Sequence, residues 1–283
     1  MHRLCKSGVS KTRLQSAMEY LMTYGWAILV IAVVLGVLYS LGIFNPSNFA
    51  PKAQPGSCQV FRPNGPGTNY DLNLEGTCSG ELPEYAGRFN GNSGYVNIPY
   101  SKSINDIGNA TISVWAKENP EITNLLVSLD GNSQNARQVY FEENTIWIQG
   151  AGTVYVNGNL ATSGTTTVNP NKWYDIVAVF NNVPQYPNYS QIGAQCLGTG
   201  GIYCNAWALG DIANVQVYNV SFNAEGVNAI YQEGIGGVPT DLQHLVGWWP
   251  LNGNANDYSG NNNNGMPTNV IFTGTWQSGY TPP

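Results

Sequence analysis

The residues of this chain that most readily form covalent or metal bonds are its cysteines. Beyond Cys5, four cysteines fall as two local pairs, Cys58 with Cys78 and Cys196 with Cys204. An even number of cysteines in an exported segment favours disulfides, and four cysteines allow three connectivities. We expect the local pairing, in which each bond restrains a loop rich in Gly and Pro. A zinc site is disfavoured, because paired Cys-x-x-Cys spacing and nearby histidines are missing.

An Asn-rich stretch, 252–265, is a candidate calcium loop. Calcium binds carboxylate, amide and backbone oxygens, and Asp257, Asn252 and Asn254 would supply them. Asp257 carries the only full negative charge in this stretch. The alternative interpretation is a cluster of turns, since Asn and Gly tolerate left-handed backbone geometry.

The acidic side chains do not show the spacing that glycoside hydrolysis requires. A pair of carboxyl groups about 5–10 Å apart would serve that chemistry. Glu142 and Glu143 are adjacent, so on a strand their side chains point to opposite faces. We interpret them as solvent-exposed residues at the end of a strand. No acid constellation emerges, and we expect no enzymatic activity.

Aromatic side chains beside amides are the other candidate chemistry, because such surfaces bind sugars. Trp115 and Trp173 are expected in the core, as most tryptophans of a β-sandwich are. The candidates for an exposed sugar-binding aromatic are Trp147, Tyr155, Trp207, Trp248 and Trp249.

Three N-glycosylation sequons occur, at Asn109, Asn188 and Asn219. Because the chain is rich in Asn, some sequons arise by chance. All three follow the N-terminal apolar stretch and are therefore candidate sites for modification after export.

The element that decides where these residues reside is the apolar stretch Tyr20–Phe44. No charged residue lies between Glu19 and Lys52, and a helix of this length spans a hydrocarbon core of about 30 Å. The basic residues that precede it predict a cytoplasmic N-terminus and an exported remainder. Glu19 fits either a first helical turn in the headgroup region or a paired buried carboxylate.

The segment Gln15-Ser-Ala-Met-Glu19-Tyr-Leu-Met-Thr-Tyr-Gly-Trp-Ala-Ile resembles the N-terminus of archaeal type IV pilin-like proteins with a class III signal peptide. The resemblance implies cleavage between Leu14 and Gln15, with Leu14 standing where the family usually has Gly. It also implies that Glu19 meets the N-terminal amine of a neighbouring subunit while the apolar helices pack as a filament core.

Composition limits what the exported part can be. The chain of 283 residues has a net charge of −6 and only 10% charged residues, which argues against nucleic acid as a partner. Short alternating runs between Gly, Asn and Pro turns predict a β-sandwich. Asn157-Gly158 predicts a hairpin, and one short helix is expected over 223–232. The predicted strands include 95–98, 111–115, 125–129, 145–148, 154–156, 173–180 and 213–218.

Four blocks of this part resemble the concanavalin A-like, laminin-G type jelly roll: 88–99, 110–116, 211–219 and 245–265. In that family the last block usually precedes the first. Residues 245–283 are therefore expected to close the same sandwich or to begin a truncated second copy. Closure is favoured because this segment is too short to form a hydrophobic core of its own.

The predicted organisation is mainly β, with an N-terminal transmembrane, pilin-type helix before an antiparallel β-sandwich. Its segments are a leader (1–14), the helix (15–45), a linker (46–57), a disulfide-stapled segment (58–84) and the jelly roll (85–283).

The expected function is that of a membrane-anchored cell-surface protein that displays an adhesive domain for glycans or proteins. The N-terminal helix would contact the membrane and other pilin subunits. The alternatives are a monomeric, membrane-tethered lectin and a carbohydrate-active enzyme. Calcium is the one cofactor considered.

Overall fold

The computed structural model describes residues 11–40, 82–118, 123–131, 136–184, 188–197 and 203–283. The chain divides into two compact units, Met1–Pro51 and Lys52–Pro283. The predicted linker, most of the predicted segment 58–84 and the predicted bond between Cys58 and Cys78 lie outside the described residues.

The described residues of the first unit form the helix α1, over Lys11–Ser40. Within the described part of the chain, no helix is long and apolar enough to cross a membrane. The predicted processing residues Leu14, Gln15 and Glu19 lie within α1, and their side chains are outside the described part.

The second unit is built from short strands and two further helices. The strands are β1 (Ala86–Asn90), β2 (Tyr95–Ile98), β3 (Ala110–Glu118), β4 (Asn124–Ser128), β5 (Gln138–Glu142), β6 (Thr145–Gln149), β7 (Gly152–Val156), β8 (Asn159–Ala161), β9 (Tyr174–Phe180), β10 (Ser190–Ile192), β11 (Gln195–Leu197), β12 (Tyr203–Asn205), β13 (Leu209–Tyr218), β14 (Leu245–Trp249), β15 (Met266–Thr268) and β16 (Ile271–Thr273). The helices are α2 (Lys102–Asn105) and α3 (Ala224–Glu233).

The strands form an antiparallel sandwich of two sheets. Sheet A has the order β16-β1-β13-β3-β9-β7-β8, with β14 also paired to β13, and sheet B has the order β15-β2-β10-β4-β5-β6. A separate hairpin joins β11 to β12. The C-terminal segment adds β14 and β16 to sheet A and β15 to sheet B, so residues 245–283 belong to the same sandwich as the preceding strands.

The main core lies between the sheets and follows the alternation of the strands. In β9, Tyr174, Ile176, Ala178 and Phe180 face this core, whereas Val177 and Val179 face the opposite side of sheet A. That opposite side is also buried, because α3 packs there through Val227 and Ile230. A strand buried on both faces is apolar at nearly every position, and β9 has this pattern except at Asp175.

The C-terminal tail covers a second part of the outer side of sheet A. Trp276 is fully buried in a cluster with Trp115 and Trp173. Its carbonyl accepts hydrogen bonds from Trp173 Nε1 (2.8 Å) and Lys117 Nζ (3.2 Å), and its own Nε1 donates to the carbonyl of Pro83 (3.1 Å). The tail therefore ties the beginning of the sandwich to its end.

Local sequence signals account for several of these elements. Asn157 and Gly158 have φ angles of 49° and 74° and join β7 to β8, which confirms the predicted hairpin. Helix α3 begins at its N-cap Asn223, whose side chain accepts from the Gly226 N–H, and ends at Gly234 with a φ of 76°.

Candidate functional site

The outer face of sheet B, directed away from the main core, carries a row of polar side chains in register. Asn97 on β2 is opposite Gln191 on β10, which is opposite Ser128 on β4. Ser128 is opposite Gln138 on β5, which is opposite Gln149 on β6. Residues in register share a face, and neighbouring strands are about 4.8 Å apart. We call this set of five residues the polar row.

The polar row is unusual because buried amide groups in proteins normally have hydrogen-bond partners. Gln191 is 0% exposed and Asn97 is 7% exposed. Among the described residues, Gln191 Nε2, Gln191 Oε1 and Asn97 Oδ1 have no hydrogen-bond partner. Leaving a buried polar atom unpaired costs about 1–3 kcal/mol, so this face is retained at a cost to stability.

The middle of the row is satisfied by local contacts. Gln138 Nε2 donates to Ser128 Oγ (3.1 Å) and to the Gly131 carbonyl (2.7 Å). Gln138 Oε1 accepts from Gln195 Nε2 at 3.3 Å. Because Gln195 belongs to the β11–β12 hairpin, that hairpin is fixed against the polar row.

A disulfide closes this hairpin. Cys196 and Cys204 are directly opposite each other on β11 and β12 and are joined by a disulfide, which confirms this half of the predicted local pairing. The bond holds together the two strands that lie beside Gln138.

Two aromatic pairs flank the polar row. Tyr140 and Trp147 lie on β5 and β6, with ring centroids 6.3 Å apart and nearly parallel planes. Tyr95 on β2 packs against Trp207 with centroids 5.8 Å apart. All four side chains are half-buried. Trp147 Nε1 is buried and lacks a partner among the described residues.

Backbone geometry positions both tryptophans. Ala206, which precedes Trp207, has a φ of 48°, a left-handed conformation that a residue with a Cβ adopts at a cost. Its carbonyl accepts the Leu125 N–H from β4 at 3.0 Å. At Gly164 a Cβ would lie 2.8 Å from the Trp147 ring, so a glycine is required for the turn that packs against this indole.

The aromatic side chains that the sequence suggested for sugar binding differ in their burial. Trp248 and Trp249 are 2% and 0% exposed and belong to buried clusters. Tyr155 packs against the cluster under α3. Trp147 and Trp207 therefore remain as candidates on the outer face of sheet B, and the expected burial of Trp115 and Trp173 is confirmed.

The predicted calcium residues are engaged within the protein. Asp257 is fully buried and accepts four hydrogen bonds, from the N–H groups of Trp248, Ser259 and Asn263 and from Ser259 Oγ. These bonds explain how this acid is held next to β14. No group of three or more acidic, His or Cys side chains suited to a metal occurs among the described residues.

The two asparagines predicted beside Asp257 also have protein partners. Asn252 Oδ1 accepts from the Tyr85 N–H, and Asn254 Oδ1 accepts from the Asn256 N–H. Amide oxygens that already accept one bond keep a second lone pair, and calcium at this loop stays a prediction.

Two carboxylates missed by the sequence analysis are buried: Asp175 lies on β9, and Glu233 is the last residue of α3. Asp175 is 0% exposed, accepts a 3.2 Å bond from Ser113 Oγ, and has no partner for Oδ2 among the described residues. Glu233 accepts from Gln216 Nε2 and from the N–H and hydroxyl of Thr240. Burial raises the pKa of Asp175 to about 8 and that of Glu233 to about 7.

Neither acid forms an ion pair with a described residue. Both are buried, which separates them from the solvent in which a substrate would arrive. Asp175 is the single polar residue of an apolar run, and Glu233 follows Gln232 at the end of a helix, so neither position gave a sequence signal for a buried carboxyl group.

The three sequons lie in different surroundings. Asn109 and Asn219 are exposed. Asn109 lies just before β3 and Asn219 just after β13, and because Thr111 is opposite Tyr218, both lie at the same end of sheet A. Asn188 is half-buried, and its Nδ2 donates to the Asp130 carbonyl at 3.2 Å. Modification at each of the three remains a prediction.

Sequence reasoning missed Asn97, Gln191 and Gln138. Each is a polar residue at an outward position of an alternating strand, which is the expected place for a solvated side chain. Only the pairing of the strands aligns these side chains, so no local pattern distinguishes them from surface amides.

No protein-family model matches the chain, and no curated protein matches it significantly. Among solved structures, it is similar to a candidate carbohydrate-binding protein from Bacteroides ovatus, with 13% identity and a TM-score of 0.47 over 68% of this chain. The chain spans 60% of the length of that protein. It is also similar to a native heptameric SAP-like pentraxin from Limulus polyphemus, with 11% identity, a TM-score of 0.43, and coverage of 67% of this chain and 94% of the pentraxin. Likeness at this level does not extend either protein's function to this chain.

Proposed function

We propose that the outer face of sheet B binds a glycan and that the protein is a lectin-like recognition module with a concanavalin A-like jelly-roll topology. One observation carries the proposal. Of the five buried side-chain polar atoms without a partner among the described residues, four lie on this face: Asn97 Oδ1, Trp147 Nε1, Gln191 Nε2 and Gln191 Oε1. A face that leaves two donors and two acceptors unpaired is complementary to sugar hydroxyls, which donate and accept.

The aromatic pairs support the same proposal. Sugar rings present apolar C–H faces, and aromatic rings supply large, rigid contact area with a polar edge. Tyr140 with Trp147 and Tyr95 with Trp207 flank the polar row. Because Gln191 is fully covered, a ligand reaches its amide only when the side chains above it shift.

The experiment is a glycan array probed with the full chain in nonionic detergent, followed by the variant Trp147→Phe. This variant keeps one aromatic ring and removes the pyrrole ring that carries the unpaired N–H. Its affinity for the bound glycan should fall about five-fold, the effect of losing one hydrogen bond. If the wild type binds no glycan, or if Trp147→Phe binds as tightly as the wild type, the proposal is wrong.

The described part of α1 is not by itself long and apolar enough to cross a membrane, and we nevertheless propose that the chain is anchored in a membrane and displays this sandwich outside the cell. The support is the surface of α1, whose large apolar side chains from Met22 to Val37 are 49–68% exposed. The four consecutive residues 28–31 are all exposed, and four consecutive residues point in all directions around a helix. A helix that is apolar on every side suits lipid or the interior of a helical assembly.

Polymerisation through α1 is the pilin-like part of this proposal. Cleavage between Leu14 and Gln15 would free an amine that pairs with Glu19 of a neighbouring subunit. Mass spectrometry of the mature N-terminus on cells tests it: an N-terminal Gln15 supports assembly, and an intact leader leaves a tethered monomer and contradicts the pilin-like mode.

A further inference from the structure

We infer that the polar face selects neutral glycans, those without carboxylate, sulfate or phosphate groups. This inference rests on the proposed glycan binding and names the class of ligand for the same face. It is carried by the positions of the basic side chains of the sandwich, by the charge at the rim of the face and by the chemistry of the polar row.

Acidic sugars are recognised by Arg or Lys, which pair with the anionic group. The described part of the sandwich has five such residues. Three are paired with carboxylates, Arg88, Lys117 and Arg137, and Lys172, which lies just before β9 of sheet A, is placed over the Tyr174 ring. The fifth, Lys102, is exposed on α2, which is not a strand of sheet B.

Arg137 is the basic residue nearest to the polar row in sequence, because it directly precedes Gln138. Its side chain is fully buried and donates to both carboxylate oxygens of Asp130 at 2.7 Å. It also donates to the carbonyl of Ile107 at 2.7 Å. With its charge paired and its donors used, Arg137 has no capacity left for a ligand anion.

Arg88 and Lys117 are used on the other sheet. Both pair with Asp211, at 2.7 Å and 3.1 Å, and register places Arg88 and Lys117 on either side of Asp211 in sheet A. Lys117 also donates to two carbonyls of the C-terminal tail. These two cations therefore stabilise sheet A and its tail, and they serve no ligand on sheet B.

The rim of the face carries a negative charge. Glu142 ends β5 on the same side as Gln138 and Tyr140, and it raises the pKa of Tyr140, together with the larger effect of burial. A ligand carboxylate or sulfate placed on the Tyr140–Trp147 pair would meet this charge, and among the described residues no cation on sheet B offsets it. Bringing like charges together at an interface costs binding free energy, so this charge should weaken the binding of an anionic ligand.

The polar row favours the opposite class of ligand. Its amide and hydroxyl side chains are neutral and combine donors with acceptors. Such groups pair with sugar hydroxyls one for one, and they do not compensate a full charge that has lost its water. Hydroxyl-rich, uncharged sugars are therefore the class that this face accommodates.

The test uses the full chain in detergent and an array of hexose oligosaccharides, each printed in three forms: unsubstituted, oxidised at C6 to the uronic acid, and sulfated at O6. The unsubstituted form should bind at least about ten-fold more tightly than its two acidic forms. Glu142→Gln should reduce this preference about three-fold, because one repelling charge near the surface is removed. The matched control, Glu225→Gln, removes the same charge from an exposed position on α3 and should leave the preference unchanged.

The outcomes separate the two proposals. Equal or tighter binding of an acidic form overturns the neutral class while leaving glycan binding intact. An equal effect of Glu142→Gln and Glu225→Gln overturns the role of the rim charge. Failure of every oligosaccharide, neutral and acidic, overturns glycan binding itself.

Discussion

The buried carboxyl group of Asp175 makes the stability of the sandwich depend on pH. Its pKa is raised from 3.8 to about 8, so the folded protein keeps the proton while the unfolded chain loses it. The contribution to stability is fully present below about pH 4 and is lost as the pH rises toward 8. Within that window the free energy of unfolding falls by about 1.4 kcal/mol per pH unit, or about 3 kcal/mol from pH 5 to pH 7.

Glu233 acts in the same direction. Burial raises its pKa from 4.5 to about 7, so its contribution is also lost as the pH rises through this range. A fall of several kcal/mol is a large share of the 5–15 kcal/mol by which a domain is stable. The sandwich should therefore be markedly more stable at pH 5 than at pH 7.

The variant Asp175→Asn isolates the effect. An amide cannot ionise and still accepts the bond from Ser113 Oγ, so the slope between pH 5 and pH 7 should decrease by about 1.4 kcal/mol per unit. The assay is urea unfolding of the full chain, followed by tryptophan fluorescence at pH 5, 6 and 7. Glu225→Gln, at an exposed position of α3, is the control and should keep the wild-type slope.

Two results would refute this reasoning. One is a wild-type free energy of unfolding that rises from pH 5 to pH 7. The other is an Asp175→Asn variant with the same slope as the wild type, which would mean that Asp175 ionises in the folded protein as it does in the unfolded chain.

Three further predictions concern the tail, the disulfide and the Asn-rich loop. Trp276→Ala should lower the free energy of unfolding by about 3–5 kcal/mol, because it empties a buried aromatic cluster; a loss below about 1 kcal/mol in urea would show that the tail is not part of the folded unit. Replacing both Cys196 and Cys204 by Ser should cost about 2–3 kcal/mol, and an unchanged urea midpoint would contradict a stabilising role for the hairpin bond. If calcium binds at Asp257, EDTA should lower the Tm, and an unchanged Tm would argue against a stabilising ion.

Much of the sandwich could be predicted from local patterns. The nearly continuous apolar run Trp173–Phe180 gives β9, the Asn-Gly dipeptide gives the β7–β8 hairpin, and Asn223 with Gly234 bounds α3. These signals are local, since each depends on a few neighbouring residues. The bulge at Asn214, where a φ of 47° accompanies a register shift in β13, has no comparable signal.

The candidate site could not be predicted in the same way, because it depends on which strands become neighbours. Asn97 and Gln191 are far apart in the chain and become adjacent only when β2 pairs with β10. The buried acids were missed for a related reason. Asp175 is a single polar residue within an apolar run, and only the packing over the outer side of sheet A encloses it.

The central claim is that the outer face of sheet B retains unpaired amides for binding at a cost to stability. Gln191→Leu tests it most directly, because the leucine has a similar size and no polar atoms, and the matched control is Gln232→Leu at an exposed position of α3. Gln191→Leu should raise the free energy of unfolding by about 1–2 kcal/mol. It should also lower the affinity for the glycan that binds most tightly on the array about ten-fold or more, measured by calorimetry. If the Gln191→Leu variant is less stable than the wild type, or binds the glycan equally well, the claim that these amides are retained for binding is contradicted.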